Sequence, residues 1–319
     1  MTDQNSQTAI AHPLDRAVAW LSRNSRLFAR GWGDEALLAE LSRRERYLAA
    51  PRPIATEWTA ERLVGGRICR DGKFLSPLEE LPDAVKTVQV RAWSCAGNAA
   101  ACVVLAASRD EGYRVRERVF GALTARGIDL YLLESPYYGQ RRNGSGPSDI
   151  TVADHCLMAL GMVLEARALL TSLKPKYPKL AVAGYSMGGH MAALTAAVSS
   201  FPIACAALAT GASASAIYTR GLLSRSVDLE ALGSSGVRER LRSLFDSADI
   251  TNFRPPMRTD AAVVSGCTRD GYVLPSETER LHRHWKGSEL RWIPAGHFSA
   301  LITQRSALQA CVEAAVEKL

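Results

Sequence analysis

The sequence predicts an α/β fold: a mostly parallel, doubly wound sheet with helices on both of its faces. Three observations lead there. The short runs ACVVLAA, DLYLLE, LAVAGY, PIACAALA and AAVVSG are apolar at consecutive positions, as strands buried on both faces are. Helical patterns lie between these runs, which is the β–α rhythm of a parallel sheet. At 319 residues and 47% hydrophobic, the chain can fill a two-sided core as one domain with insertions.

In chain order, residues 13–48 read as two helices. Leu14, Val18 and Leu21 share one face, and GWGDEALLAEL restarts the pattern after a Gly-containing break. Residues 66–94 read as early strands: RICRDGKFLSP with an Asp71-Gly72 turn, then TVQVRAW alternating in and out. A helix is expected over 111–126 after ACVVLAA, and the polar loop PYYGQRRNGSGPSD after DLYLLE. A long helix over 151–173 takes Asp149 or Thr151 as its N-cap. SELRWIP is the last strand and 298–317 the closing helix. Between Gly211 and Pro256 the rhythm breaks for far longer than an ordinary connection. An insertion there falls at the carboxyl edge of the sheet, where doubly wound folds bind ligands. The expected organisation is a helical N-terminal extension over 1–50, a core over 51–210 and 257–319, and a cap over 211–256.

Composition removes several classes of function. The net charge of +7 comes from arginines spread along the chain. Nucleic-acid binding calls for a concentrated basic stripe with interleaved aromatics, which is not found; an anionic small substrate stays possible. Seven scattered cysteines, odd in number and without C-x-x-C spacing, read as thiols in a reducing compartment. No apolar run approaches the ~20 residues of a membrane span. MTDQNSQTAIAHP has no apolar signal core, so the expected location is cytoplasmic. With neither G-x-G-x-x-G nor a P-loop, and with His282-x-His284 poorly spaced on a helix, no cofactor or metal is expected.

The strongest chemical signal is LAVAGYSMGGHMAALTAA, a buried strand running into Gly184-Tyr185-Ser186-Met187-Gly188 and then a small-residue helix. Such an elbow turns so sharply that side chains beside the serine would clash, and Gly184 and Gly188 remove them. The Ser186 hydroxyl then projects at a helix N-terminus that favours a developing anion. A serine needs a base. Of six histidines, only His297 directly follows a strand, in RWIPAGHFSAL. His12 lies in the polar N-terminal tail and His155 inside a helix; His282 and His284 point to diverging helix faces. His190, one turn beyond Ser186, suits a packed role. The acid should fall after a strand and before the histidine, and AAVVSGCTRDGYVLP supplies Asp270; Asp260 enters the same strand from the wrong end. For the oxyanion, Met187 offers one backbone N–H, and the loop after ACVVLAA offers Ala107 or Ser108.

These features are those of the α/β-hydrolase fold, and the chain resembles one branch of it, the family of α/β-hydrolase domain-containing protein 18. Matching stretches are LFARGWGDEALLAELSRRER, DGKFLSP, LAASRDEGYRVRERV, LLESPYYGQRR, GYSMGGHMAAL, TGASASAIYTRGLLSRSVDLEAL, RDGYVLP and AGHFSAL. The resemblance implies hydrolysis of an ester, in a lipid or a smaller molecule, with Ser186, Asp270 and His297 as the triad. Where the family typically has a Gly-rich stretch after the third strand, this chain reads Ala107-Ser108-Arg109.

Binding residues are expected from ESPYYGQRR and the elbow. Tyr137, Tyr138 and Tyr185 could wall a pocket, and Arg141 could hold a phosphate or carboxylate. Alternatively Glu134 and the arginines pair with each other and fix the loop. Two other functions fit the same residues: an acyltransferase using the same acyl-enzyme, and a hydrolase-fold binding protein without turnover.

Overall fold

The computed structural model describes residues 11–51, 54–144, 150–233 and 235–319. Asp149 and most of the polar N-terminal tail lie outside them. The elements are α1 (Pro13–Leu21), α2 (Glu35–Leu41), β1 (Glu57–Trp58), β2 (Arg62–Val64), β3 (Arg67–Leu75), β4 (Thr87–Ser94), β5 (Ala100–Leu105) and α3 (Arg114–Phe120), followed by β6 (Ile128–Leu133) and α4 (Val152–Leu173). The second half holds β7 (Lys179–Tyr185), α5 (Met187–Ala197), β8 (Ala204–Leu208), α6 (Val237–Asp246), β9 (Ala262–Cys267), α7 (Pro275–His284), β10 (Glu289–Ile293), α8 (His297–Thr303) and α9 (Arg305–Glu317).

The ten strands form a single sheet in the order β1-β3-β4-β6-β5-β7-β8-β9-β10, with β2 on β3. From β6 to β10 every pairing is parallel, and β3, β4 and β6 pair antiparallel at the other end. Both faces are buried, and strand alternation splits them cleanly. In β5, Ala101, Val103 and Leu105 face α4 and α5, whereas Ala100, Cys102 and Val104 face α3 and α9. This is the predicted fold class, a mostly parallel sheet with helices on both sides.

Four local expectations are corrected. Asp71-Gly72 is not a turn: β3 runs straight through it, and the turn lies at Gly65-Gly66, both with φ in the left-handed region. Gly72 is there because the Trp58 ring covers the strand, 2.6 Å from where a Cβ would sit. The closing helix is two helices, α8 and α9, broken at Gln304. The helix expected over 111–126 is α-helical only over Arg114–Phe120 and continues as a tighter 3₁₀ stretch. Finally, α4, capped by Thr151, is long and apolar enough to cross a membrane, with a mean hydropathy of 1.6 in its most apolar window. A span-length segment therefore does occur, and the fold explains its composition: 72% of that window is buried inside the protein.

The two segments outside the sheet pack on each other. Phe28 and Leu38 join Tyr218, Val227, Leu241 and Phe245 in one apolar cluster over the start of α4. Trp32 Nε1 donates to the Leu232 carbonyl at 2.7 Å, and Leu27 and Ser226–Asp228 exchange backbone hydrogen bonds. The described parts of residues 25–42 and 211–256 thus pack together over the start of α4.

Candidate active site

At the end of β7 the chain turns into α5 with Ser186 at φ 56°, ψ −119°, a conformation that costs an L-residue about 1–3 kcal/mol. Tight packing holds it there. A Cβ on Gly184 would overlap the Gly188 carbonyl, and one on Gly188 would overlap the Leu105 carbonyl at the end of β5. Gly189 is needed as well, since its Cβ would lie 2.6 Å from the Leu208 oxygen. Ser186 N–H donates to that same oxygen at 2.9 Å.

The three residues proposed from sequence come together. His297 Nε2 lies 2.9 Å from Ser186 Oγ, and its Nδ1 lies 2.7 Å from Asp270 Oδ2. Asp270 is oriented by its other oxygen, which accepts from Tyr272 N at 2.8 Å and Val273 N at 2.9 Å. The loops that carry Asp270 and His297 are tied together, Thr268 N donating to the Ile293 carbonyl and Arg269 N to the Ala295 carbonyl. Burial opposes charge on the His297 ring, but the Asp270 carboxylate, with Asp15 behind it, outweighs this and raises its pKa above the ordinary value.

The other histidines have separate roles. His12 accepts from Leu14 N at the start of α1. His282 meets Ser288, and His284 the Phe253 carbonyl. His190 is buried with Nδ1 on the Gly211 carbonyl, and burial lowers its pKa. His155, bonded to the Tyr218 hydroxyl, is held neutral by burial with a pKa pushed down to about 4.

Ser186 opens onto an apolar cavity of about 70 Å³. Met187, Met191, Cys156 and Ala159 form its floor and wall; Ile217, Tyr218 and Phe245 cover it from the 211–256 segment. Leu41 and Tyr47 close it from the N-terminal side, so both extra segments contribute lining. Ser108 lines this cavity beside Ser186 and Met187, whereas Ala107 faces a small void on the α3 side of the sheet. In place of a glycine, Arg109 takes the left-handed turn at φ 64°, its N–H donating to the Tyr138 hydroxyl.

The expected binding residues are not in this cavity. Tyr185 is the strand residue whose parity sends it to the α3–α9 face, where its hydroxyl donates to the His297 carbonyl. Tyr137 and Tyr138 are buried in the core, Tyr137 bonded to Asp154. Arg141 is fully buried. It grips Glu165 through two bonds of 2.8 and 2.6 Å, and donates to the Val85 and Glu134 carbonyls as well. It cannot reach a ligand at Ser186. Nor does the Glu134 carboxylate form the expected ion pair: it accepts from Gln140 N at 3.1 Å, while Arg142 goes to Glu111 and Arg141 to Glu165, so the loop is fixed by carboxylates both within and outside it.

Sequence reasoning missed Asp15, in the first turn of α1. Its buried carboxylate accepts from His297 N at 2.8 Å, Phe298 N at 3.0 Å and Gly271 N at 3.2 Å. An acidic residue in a first helical turn has an ordinary meaning, complementing the helix dipole, and nothing local ties it to residue 297. Among the described residues no three His, Cys, Asp or Glu side chains gather to hold a metal.

A strand–elbow–helix serine, with an aspartate and a histidine on loops at the carboxyl edge of a doubly wound sheet, is the arrangement of the α/β-hydrolase class. Solved structures superpose accordingly. An acetyl xylan esterase from Paenibacillus sp. R4 matches over 89% of this chain and 98% of its own, at 14% identity and a TM-score of 0.59. Acetyl xylan esterase 1 from Thermoanaerobacterium sp. JW/SL YS485 gives 90%, 98%, 14% and 0.57. An S-formylglutathione hydrolase from Agrobacterium tumefaciens gives 84%, 100%, 12% and 0.53. At such identities they establish the fold alone. Within the class, the chain belongs to the family of alpha/beta hydrolase domain containing 18, whose model matches residues 25–235 and 231–318.

Proposed function

We propose that this chain is a serine hydrolase cleaving carboxylic esters through an acyl-enzyme on Ser186. The observation that carries this is the unbroken hydrogen-bond chain from Ser186 Oγ through His297 to Asp270, opening on an apolar cavity. Ser186 Oγ attacks the ester carbonyl as His297 Nε2 takes its proton, and Asp270 stabilises the imidazolium. The oxyanion meets the Met187 N–H at the start of α5, with a second donor from the loop at Ser108, which shares the cavity. Collapse expels the alcohol, which leaves with the proton from His297. Water, deprotonated by the same imidazole, then attacks the acyl carbon and frees Ser186.

The lining sets the acyl group. The lining is mostly methionine, alanine, leucine, isoleucine and aromatic, burial disfavours charge on its His155 and His190, and 70 Å³ is about half of a cavity that admits benzene, so a short, neutral acyl chain fits. Residues 211–256 act as a cap that keeps bulk water from the reacting carbonyl.

A fluorophosphonate probe should label Ser186 in the intact protein and fail on Ser186→Ala. Turnover of p-nitrophenyl acetate should vanish in Ser186→Ala and His297→Ala. Wild-type turnover by a folded His297→Ala protein would reject the triad. Unlabelled Ser186 with no turnover would favour a binding protein instead.

A further inference from the structure

We infer that Asp15 is a positioning residue for the base: its carboxylate clamps the backbone of His297 to the loop that carries Asp270. This rests on the triad proposed above. A carboxylate with no exposed surface is costly to bury, and it is stable here because three N–H groups converge on it. Two of them, from His297 and Phe298, are the unbonded first donors of α8, where the helix dipole also favours an anion. The third belongs to Gly271, next to the acid. One side chain therefore fixes both loops, from an element 282 residues away in sequence.

The seat is built for close approach. A Cβ on Gly296 would lie 2.9 Å from both Asp15 oxygens and would overlap His12, and one on Gly271 would lie 2.9 Å from the Ala11 Cβ. Two further bonds hold α1 in place, His12 N to the Arg269 carbonyl at 2.9 Å and the Tyr272 hydroxyl to the Asp15 carbonyl at 3.3 Å. With its backbone pinned, the His297 ring is left only the rotation that spans Asp270 and Ser186. The charge matters as well as the geometry. The groups facing the ring are Asp270, the Ser186 hydroxyl, the rings of Tyr185, Tyr272 and Phe298, and Asp15 behind its backbone; Cys267 sits behind Tyr185. Asp270 and Asp15 are the carboxylates among them, so neutralising Asp15 removes one of two negative charges that favour the imidazolium.

The test is Asp15→Asn in the full chain, with p-nitrophenyl acetate turnover read against pH. An amide cannot satisfy three donors without turning its own NH₂ against one of them. Misplacing the base by about an ångström should lower kcat/KM roughly 10²-fold, mainly in kcat, with KM little changed. The acid limb of the profile should also move to lower pH, because a ring with less nearby negative charge releases its proton more easily; Asp15→Glu should keep the wild-type limb. A folded Asp15→Asn protein with wild-type kcat and an unmoved limb overturns the clamp. If that variant does not fold, amide exchange in the wild type decides: the segment 296–298 should exchange slowly, and free exchange there also overturns it. Loss of the triad would show separately, as activity persisting in Ser186→Ala or His297→Ala.

Discussion

Asparagine at position 270 should be more damaging than alanine, and the hydrogen-bond pattern says why. Oδ1 of Asp270 accepts from two backbone N–H groups, at 2.8 and 2.9 Å, and Oδ2 accepts from His297 Nδ1 at 2.7 Å. In Asp270→Asn, the amide oxygen must take the Oδ1 position, since NH₂ there would face two donors. The NH₂ is then left against His297 Nδ1, which can meet it only as an acceptor. The ring proton moves to Nε2, the nitrogen that must accept from Ser186. A locked wrong tautomer costs about 10⁴-fold in kcat, or roughly 5.4 kcal/mol of barrier at 1.36 kcal/mol per decade. Asp270→Ala imposes no tautomer and leaves room for water beside Nδ1, so it should retain more activity than Asp270→Asn. Steady-state turnover of p-nitrophenyl acetate gives the rates, and ¹⁵N shifts of labelled histidine give the tautomer. An Asp270→Asn enzyme within tenfold of wild type, or one more active than Asp270→Ala, would refute the reasoning.

Arg141→Ala strands the Glu165 carboxylate in the core and should cost about 3–5 kcal/mol in urea unfolding. In whatever remains folded, the ratio of kcat/KM for anionic and neutral esters should not change. Because His297 must be neutral to act and its pKa is raised, kcat/KM should rise through an acid limb centred above pH 6.5; a limb centred below pH 6 would contradict the influence of the two carboxylates. Ala159→Phe places a ring in the 70 Å³ cavity and should lower kcat/KM for a butyrate ester at least tenfold relative to acetate, measured in parallel.

The sheet was legible because doubly buried strands are apolar at every position, and the elbow because a sharp turn leaves its glycines in the sequence. Asp270 was readable for a related reason, since it follows a doubly buried strand at its carboxyl end, whereas His297 follows the half-exposed strand ELRWI and was found as the histidine directly after a strand. The binding residues were not, because facing direction depends on the register of side chains across the sheet. Tyr185 adjoins the nucleophile in sequence yet lies beneath it, one pleat away on the opposite face. Arg141 looked available since its partner is on α4, where Glu165 reads like an ordinary helix charge. The Gly65-Gly66 turn was passed over for Asp71-Gly72, a stronger local turn signal cancelled by the Trp58 ring above it. The cavity lining draws on segments around residues 41–47, 155–159, 186–191 and 214–248, and no single stretch carries its pattern.

The seating of α1 also bears on biosynthesis. The helix leaves the ribosome well before the amides that receive Asp15, which belong to residues 271, 297 and 298. At roughly 5–20 residues per second, it waits on the order of tens of seconds for them. Until then Ser186 is present while His297, the base proposed for it, lacks the contact that seats its backbone. The proposed site is completed in one late event, when α1 meets the loops at residues 271 and 297–298.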